Sequence, residues 1–356
     1  MTAPIGLAAL EEQVRHQLSC MAFPAVDWVK PLAGAPAGEI LDCAIVGGGQ
    51  YGLALAFGLR RERVGNVRVY DANPAGREGP WMTFARMEML RTPKHLTNVD
   101  LGMPALTFRA WYEAQHGADG WETLFRIPRT AWMDYLIWYR RVLDLPVEND
   151  APVVDIAPVG ADLLRLTIAR PAGTETVLAR TVIVATGAEG AGGRNVPAIF
   201  QDLPADRWAH VNDTVDLAAL AGRRIGILGS GASAFDIATA AVEAGATEAK
   251  ICLRRPAMPT QNPRRAMENA GFLAHYPDLP DAQRWGYMRH LYAIGQPPPE
   301  PTWKRAMATP GVSVHVATPW HALSLAPDGS VRADSDGGRT LEFDFVFAAT
   351  GHMTDL

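Results

Sequence analysis

The sequence predicts an α/β protein with two Rossmann-like dinucleotide-binding domains, the second inserted in the first, and a short antiparallel β segment. Three observations support this fold class. A short apolar run leads into the glycine-rich segment 47–52, and a similar arrangement recurs at 229–234. Each unit is later followed by an apolar strand that ends in Ala-Thr-Gly, at 185–187 and at 349–351. Paired strand, glycine loop and helix units, each with a closing strand, indicate a duplicated nucleotide-binding architecture.

The first unit has the features that dinucleotide binding requires. An apolar strand pattern at 41–46 precedes a loop in which Gly47, Gly49 and Gly52 match G-x-G-x-x-G, and a helical apolar pattern follows. Such glycines let a diphosphate approach backbone N–H groups at the positive end of the helix dipole. Asp71 ends the next strand, where a carboxylate accepts hydrogen bonds from ribose hydroxyls. We therefore expect a dinucleotide with an unphosphorylated ribose, and an ordinary glycine-rich turn is the alternative.

The second unit has the same order of elements with different residues at two positions. Gly229, Gly231 and Ala234 give G-x-G-x-x-A. The strand after the helix ends at Arg254 and Arg255 instead of at an acid. Guanidinium groups there can pair with a 2′-phosphate, so the motif favours NADP(H) over NAD(H). The alternative is a solvated arginine pair beyond the strand, and a second arginine pair shortly afterwards could share the binding role.

The domain boundaries follow from these two units. A helix and a proline-rich, extended lead-in occupy 1–40, and 152–178 alternates apolar and polar residues as an antiparallel meander does. The first dinucleotide-binding domain is expected to comprise 41–190 and 331–356, and the second 191–330.

Composition and charge exclude several classes of function. The 356 residues are 48% hydrophobic and 20% charged, as in an ordinary globular protein, and the net charge of −5 provides no basic field for a nucleic acid. The chain shows no signal-peptide pattern and no run of about 18 apolar residues, so no membrane association is expected. Three cysteines without a C-x-x-C pair favour a reducing cytoplasm, and nine scattered histidines predict no metal site. The sequence leaves a homo-oligomer open.

These motifs resemble those of the flavoproteins with two dinucleotide-binding domains, and among them the FAD- and NADPH-dependent class B monooxygenases. That family comprises the flavin-containing monooxygenases, the N-hydroxylating amine monooxygenases and the Baeyer–Villiger enzymes. The resemblance spans about residues 41–356. It implies that the first loop, with Asp71, binds FAD and that the second loop, with Arg254 and Arg255, binds NADPH. The NADPH domain is then the one inserted in the FAD domain.

The resemblance extends to residues near the flavin. The family's Gly-Gly-x-Trp element has a partial counterpart in 78–81, and 90–98 falls where members place flavin-contacting and substrate-side residues. The alternatives are a core aromatic at the first segment and solvated loop residues in the second. The expected cofactor-binding residues are Gly47, Gly49, Gln50, Tyr51, Gly52, Asp71, Ala72, Trp81, Arg91, Val154, Thr186, Gly187, Gly229, Ser230, Gly231, Ser233, Arg254, Arg255, Thr350 and Gly351. The expected catalytic residues are Lys94, Asn98 and His210.

Aromatic residues at helical spacing in 132–139 resemble a helix of the N-hydroxylating members. We expect core packing there, with a substrate box as the alternative.

The family's Phe-x-Gly-x-x-x-His segment is degenerate here, because Phe200 and His210 stand too far apart and the glycine is missing. His210 could therefore face the nicotinamide or cap a turn. The resemblance also predicts a further strand and helix after Gly351.

The resemblance implies an enzyme, an FAD-dependent oxidoreductase that uses NADPH. Its expected reaction is monooxygenation through a flavin peroxide, which inserts one oxygen atom from O₂ into a small substrate with a nucleophilic nitrogen or sulfur, or a carbonyl. Because the cofactor carries the redox chemistry, no catalytic triad is required. Two alternatives stay open: an NADPH-dependent flavin reductase or oxidase without oxygen insertion, and a non-catalytic nucleotide-binding protein.

Overall fold

A computed structural model describes residues 4–24, 26–30, 32, 39–96, 98–188, 190 and 192–353. The chain divides into two compact units, residues 1–191 and residues 192–356. Much of the predicted lead-in, namely 25, 31 and 33–38, lies outside the described residues.

The first unit is built around a mixed six-stranded sheet. Its helices are α1 (Leu7–Cys20), α2 (Gln50–Arg61), α3 (Phe108–Thr123) and α4 (Arg129–Val142). Its strands are β1 (Ile40–Val46), β2 (Val67–Tyr70), β3 (Val147–Glu148), β4 (Val153–Val159), β5 (Leu163–Arg170) and β6 (Gly173–Val184). The strand order is β3-β2-β1-β6-β5-β4. Neighbouring strands pair in parallel from β3 to β6 in this order. The remaining pairs, β6 with β5 and β5 with β4, are antiparallel and form the predicted meander.

The four helices of the first unit share one aromatic-rich core. In α4, the hydroxyl of Tyr135 donates to Leu106 O at 2.6 Å and that of Tyr139 donates to Val99 O at 2.7 Å. Burial raises the pKa of both phenols, so they act as neutral donors that tie α4 to the loop before α3. The core role predicted for the aromatic residues of this helix is confirmed for these two side chains.

The second unit contains a parallel five-stranded sheet and a small antiparallel sheet. Its strands are β7 (Trp208–His210), β8 (Arg224–Leu228), β9 (Glu248–Cys252), β10 (Val312–His315), β11 (Ala322–Leu325), β12 (Val331–Asp334), β13 (Thr340–Phe343) and β14 (Phe345–Ala348). Its helices are α5 (Ala232–Glu243), α6 (Ala270–His275), α7 (Asp281–Ile294) and α8 (Glu300–Ala308). The strand orders are β10-β9-β8-β14-β7 and β11-β12-β13.

The predicted assignment of residues 331–356 to the first domain is wrong. Strand β14 lies between β8 and β7 and pairs in parallel with both. Its side chains Phe345 and Phe347 are buried in the core of the second unit, beside Ile225 and Ile227. Both sheet pairing and apolar burial therefore keep this segment in the second unit. The described chain passes from one unit to the other once, so the predicted insertion is not formed by the described residues.

Candidate dinucleotide-binding sites

The first glycine loop joins β1 to α2 and is shaped by two glycines at which a side chain would overlap the backbone. Gly47 has φ +108°, and a Cβ there would lie 2.5 Å from the carbonyl oxygen of Ala185. A Cβ at Gly52 would overlap the carbonyl oxygen of Gly47. The loop can therefore pack against the end of β6 and turn into α2 only with glycine at both positions.

Open space above Gly49 gives this loop room for a ligand. A Cβ at Gly49 would meet nothing closer than Gly79 Cα at 3.9 Å. Helix α2 starts immediately after Gly49, which provides no side-chain cap, so its first backbone N–H groups need external acceptors. A diphosphate supplies such acceptors, and the residues present therefore fit the central part of a dinucleotide.

Asp71 lies beside this loop, as predicted, and already accepts hydrogen bonds from the chain. Its carboxylate is buried, with Oδ2 accepting from Gly48 N–H at 2.7 Å and Oδ1 accepting from Asn73 N–H at 2.8 Å. Because a carboxylate has about four acceptor positions, ribose hydroxyls can still bind to it. Ala72 follows on the exposed side. Val154 lies at the start of β4, shortly after Ala151, whose N–H donates to Asp71 O at 2.8 Å.

Trp81 also reaches the first loop. A Cβ at Gly79 would lie 3.8 Å from Trp81 Nε1, and Gly79 faces Gly49. The indole N–H of Trp81 is buried and has no hydrogen-bond partner among the described residues. Such an orphan donor beside the open loop is a second indication that a polar ligand completes the site.

A cavity of about 420 Å³ adjoins the same loop. Its lining is mostly apolar and includes Gly48 of the loop, one face of α4, and Ala75, Gly76 and Glu78. At its polar end, Glu78 Oε1 accepts from Arg140 Nη1 at 2.8 Å and from Asn149 Nδ2 at 2.7 Å. Glu78 Oε2 accepts from Gly76 N–H at 2.8 Å, so this buried network fixes the 76–78 turn near the loop. Sequence reasoning missed this network because its members are scattered along the chain.

Three predicted residues of segment 90–98 are less closely tied to the glycine loop. Lys94 Nζ donates to Trp121 O at 2.6 Å and stands 4.5 Å from the centre of that indole, so the ammonium holds the end of α3. Arg91 and Asn98 are exposed. The contacts of Lys94 are therefore with the end of α3 and not with the glycine loop.

The second glycine loop repeats the construction of the first. Gly229 has φ +137°, and a Cβ there would overlap the carbonyl oxygen of Ala349, as Gly47 abuts Ala185 in the first unit. A Cβ at Gly231 would meet nothing within 4 Å, and α5 begins at the next residue. Ser230 and Ser233 flank this open position and are half-buried. The second loop therefore also has the room and the N–H donors that a diphosphate needs.

The repeated Ala-Thr-Gly tripeptides have the same position in both units. Thr186 and Gly187 follow β6, which pairs in parallel with β1. Thr350 and Gly351 follow β14, whose neighbour is β8. In each unit the alanine carbonyl lies against the first glycine of the loop, so the tripeptide packs beside the loop.

The structure separates the two arginines after β9. Arg255 donates to Ile294 O at 3.1 Å and to Ala293 O at 3.3 Å, so it caps the carboxyl end of α7. Arg254 is exposed and makes no hydrogen bond or ion pair with the other described residues, which leaves its guanidinium available to a 2′-phosphate. Arg264 and Arg265 are exposed as well.

His210 is almost fully buried at the end of β7. Its Nδ1 accepts from Asn212 N–H at 3.3 Å, and its Nε2 lies 3.1 Å from Gly351 O. A ring nitrogen that faces a carbonyl must donate, so these two contacts fit the tautomer that carries its proton on Nε2. The geometry favours the alternative role, in which His210 secures the 350–351 turn.

The described residues contain no cluster of three or more potential metal ligands. None of the helices in the described ranges combines the length and apolarity of a membrane span.

Comparison with known proteins places this architecture in a family. The family model of FAD-NAD(P)-binding proteins matches residues 44–189, and that of L-lysine 6-monooxygenase/L-ornithine 5-monooxygenase matches residues 121–283. An FAD-dependent urate hydroxylase of Xanthomonas campestris pv. campestris is 48% identical over 355 residues, which are 99% of this chain and 73% of that protein.

Solved structures agree at the level of the fold. The ornithine hydroxylase of Pseudomonas aeruginosa matches with a TM-score of 0.74 at 19% identity, covering 89% of this chain and 84% of that one. The L-lysine 6-monooxygenase of Pseudomonas syringae matches with a TM-score of 0.69 at 19% identity, covering 88% and 82%. The predicted α/β fold class is confirmed.

Two glycine loops of this kind, each following a parallel-paired strand of its own sheet, define an FAD- and NAD(P)-binding oxidoreductase. The high identity over nearly the whole chain is more specific: the chain belongs to the family of FAD-dependent monooxygenases that contains the Xanthomonas urate hydroxylase. It is an enzyme that uses FAD, NADPH and O₂ to oxygenate a small-molecule substrate. The resemblance and the cofactors predicted from the sequence are confirmed.

Proposed function

We propose that the substrate is urate or a closely similar oxidised purine. The observation that carries this proposal is the 48% identity, spread over 355 residues, to an FAD-dependent urate hydroxylase. Urate is a small, electron-rich heterocycle, which agrees with the class of substrate expected from the sequence. The match to the lysine and ornithine monooxygenase family gives a second candidate class, the primary amines of amino acids.

The overall reaction balances without a further reactant. One oxygen atom of O₂ enters urate, and the other leaves as water, which takes two electrons and one proton from NADPH as a hydride and a second proton from solvent. FAD, when bound, accepts the electrons of NADPH and makes them available to O₂.

The residues of the chain bind, orient and select in this proposal. The loop 47–52 and Asp71 hold the diphosphate and a ribose of FAD, and the loop 229–234 holds the diphosphate of NADPH. Arg254 pairs with the 2′-phosphate, and the exposed Asn98 serves on the substrate side. Three free cysteines support a location in the reducing cytoplasm.

The test is a stoichiometric assay of the purified protein with FAD. Consumption of NADPH, O₂ and urate is followed together with hydrogen peroxide, with ornithine and lysine as comparison substrates. We expect NADPH oxidation that depends on urate, near-equal consumption of all three reactants and little peroxide. Peroxide release at the same rate with and without urate would identify a reductase or oxidase. Coupled turnover with ornithine or lysine alone would replace urate by an amine.

A further inference from the structure

One aromatic residue of α4 has a polar contact that core packing does not require. Trp132 is 1% exposed, and its Nε1 lies 3.2 Å from Gln50 Oε1. An indole N–H can only donate, so the partner atom must be the carboxamide oxygen. This settles the orientation of the amide: the amino group of Gln50 is turned away from Trp132. That amino group has no partner among the described residues.

The amino group lies where the first glycine loop meets α2. Gln50 is the first residue of α2 and follows Gly49, above which the structure has open space. Trp132 also packs edge to face against Trp81, with ring centres 6.5 Å apart and an interplanar angle of 80°. Trp81 carries the buried orphan N–H beside Gly79. The loop region thus has side-chain donors from Gln50 and Trp81 in addition to the backbone N–H groups of α2.

We propose that Trp132 is a positioning residue that holds the carboxamide of Gln50 so that its amino group donates to the diphosphate of FAD. This inference depends on the proposed placement of FAD at the loop 47–52. A neutral amide donor suits a diphosphate, because it adds a hydrogen bond at a helix N-terminus that already favours negative charge. Without the indole, the carboxamide is free to rotate and presents its oxygen to the diphosphate part of the time.

Substitutions at Gln50 separate this role from a structural one. Gln50→Leu removes the donor without adding a charge, so FAD affinity would remain near that of the wild type if the contact with Trp132 were purely structural. Gln50→Glu keeps an acceptor for Trp132 Nε1, so the contact with the indole can persist. In our proposal glutamate is the most damaging replacement, because it removes the donor and places a negative charge beside the diphosphate. We expect FAD to bind about tenfold or more weakly to Gln50→Glu, and more weakly than to Gln50→Leu.

The indole is tested with Trp132→Phe, which keeps an aromatic ring in the core. FAD is titrated into the FAD-free protein, and its affinity is measured from the change in flavin fluorescence. We expect about fivefold weaker binding, the size of one hydrogen bond, and no additional loss when Trp132→Phe is combined with Gln50→Leu. The matched control is Trp138→Phe, because Trp138 lies on the same helix and donates from Nε1 to Glu11 at 3.2 Å. This control should leave FAD affinity unchanged.

The outcomes decide between the inference and the placement of FAD. If Gly49→Val abolishes FAD binding while Gln50→Glu and Trp132→Phe bind FAD like the wild type, the placement stands and the inference is overturned. If Gly49→Val binds FAD normally, the placement itself is wrong. Should Trp132→Phe fail to fold, the FAD affinity of Gln50→Leu still decides the question, since this variant keeps the indole and adds no charge, and wild-type affinity in it would overturn the inference.

Discussion

At the residue scale, Gly49 and Gly52 serve the same loop for different reasons. Gly49 has an ordinary φ of −69° and open space in the direction of a side chain, whereas a Cβ at Gly52 would overlap the Gly47 carbonyl. We therefore expect Gly49 to be required for ligand binding and Gly52 to be required for the fold.

Substitutions at these two glycines should affect stability differently. We expect Gly49→Val to abolish FAD binding while the FAD-free protein unfolds near the wild-type temperature. Gly52→Ala should destabilise the FAD-free protein by about 1–3 kcal/mol, as overpacking does, and should weaken FAD binding as a consequence. Thermal unfolding of the FAD-free variants and FAD titration check both statements. Equal destabilisation by the two substitutions would contradict the proposed division of roles.

The preference for NADPH over NADH should depend on Arg254. Its exposed guanidinium is available to a 2′-phosphate, while Arg255 is engaged with the end of α7. We expect Arg254→Ala to weaken NADPH binding about tenfold or more and to leave NADH binding nearly unchanged, since only NADPH loses a charge-assisted bond. Titration of both nucleotides measures the preference. Arg264→Ala is the control, and a loss of preference in this variant alone would transfer the role to Arg264.

The sequence could predict the role of a single residue where local geometry determines that role. The loop glycines could be recognised because a tight turn before a helix requires them wherever the loop occurs. The role of Arg255 could not, because its acceptor carbonyls at 293–294 lie far along the chain and only the folded path brings them near. Trp132 looked like core from its spacing, and its burial agrees, but spacing carries no information about its bond to Gln50.

At the scale of elements, β8 and β14 are joined by a charged clamp as well as by their ladder. Arg224 Nη2 donates to Asp344 Oδ1 at 2.8 Å, and Arg224 N–H donates to Asp344 Oδ2 at 2.8 Å. The hydrogen bond from Arg224 is the main cause that lowers the pKa of Asp344 below its usual value. The clamp fixes the register in which β14 enters the second sheet.

Asp344→Asn should reveal this clamp through its pH dependence. Because the folded-state pKa is below the unfolded one, the ionised carboxylate stabilises the fold above about pH 4, and this contribution is lost as pH falls through the folded pKa. We expect the variant to be about 1 kcal/mol less stable at pH 7 and to approach the wild type in acid. Thermal unfolding from pH 7 to pH 3 measures the difference. The exposed Glu300, paired with Lys304, provides a control, and Glu300→Gln should change stability less.

The placement of β14 shows why elements can be predicted more readily than their partners. The apolar run at 345–348 correctly indicated a buried strand. A buried parallel strand has the same apolar sequence pattern whichever of the two sheets contains it. Its partner was decided by the burial of Phe345 and Phe347 against the second core and by the clamp at Asp344. Neither contact produces a periodic pattern in the sequence from which it could be predicted.

At the scale of the whole molecule, the two units have separate cores and one nucleotide loop each. The core of the first unit is formed by residues between Leu10 and Leu145 with a second cluster under the meander, and the cores of the second unit use residues from Phe200 onward. Apolar burial within each unit therefore gives it stability of its own, and a ligand of one loop acts first on the unit that contains it.

Calorimetry with each nucleotide should resolve this division. A ligand at 100 times its dissociation constant stabilises its unit by about 2.7 kcal/mol, which corresponds to about 5–10 °C for a unit of this size. We expect FAD to raise one unfolding transition and NADP⁺ to raise the other. Gly49→Val should abolish only the FAD shift, and Arg254→Ala should reduce only the NADP⁺ shift. A single transition that both nucleotides raise equally would instead show that the units unfold as one, and the two variants would then identify which loop each nucleotide occupies.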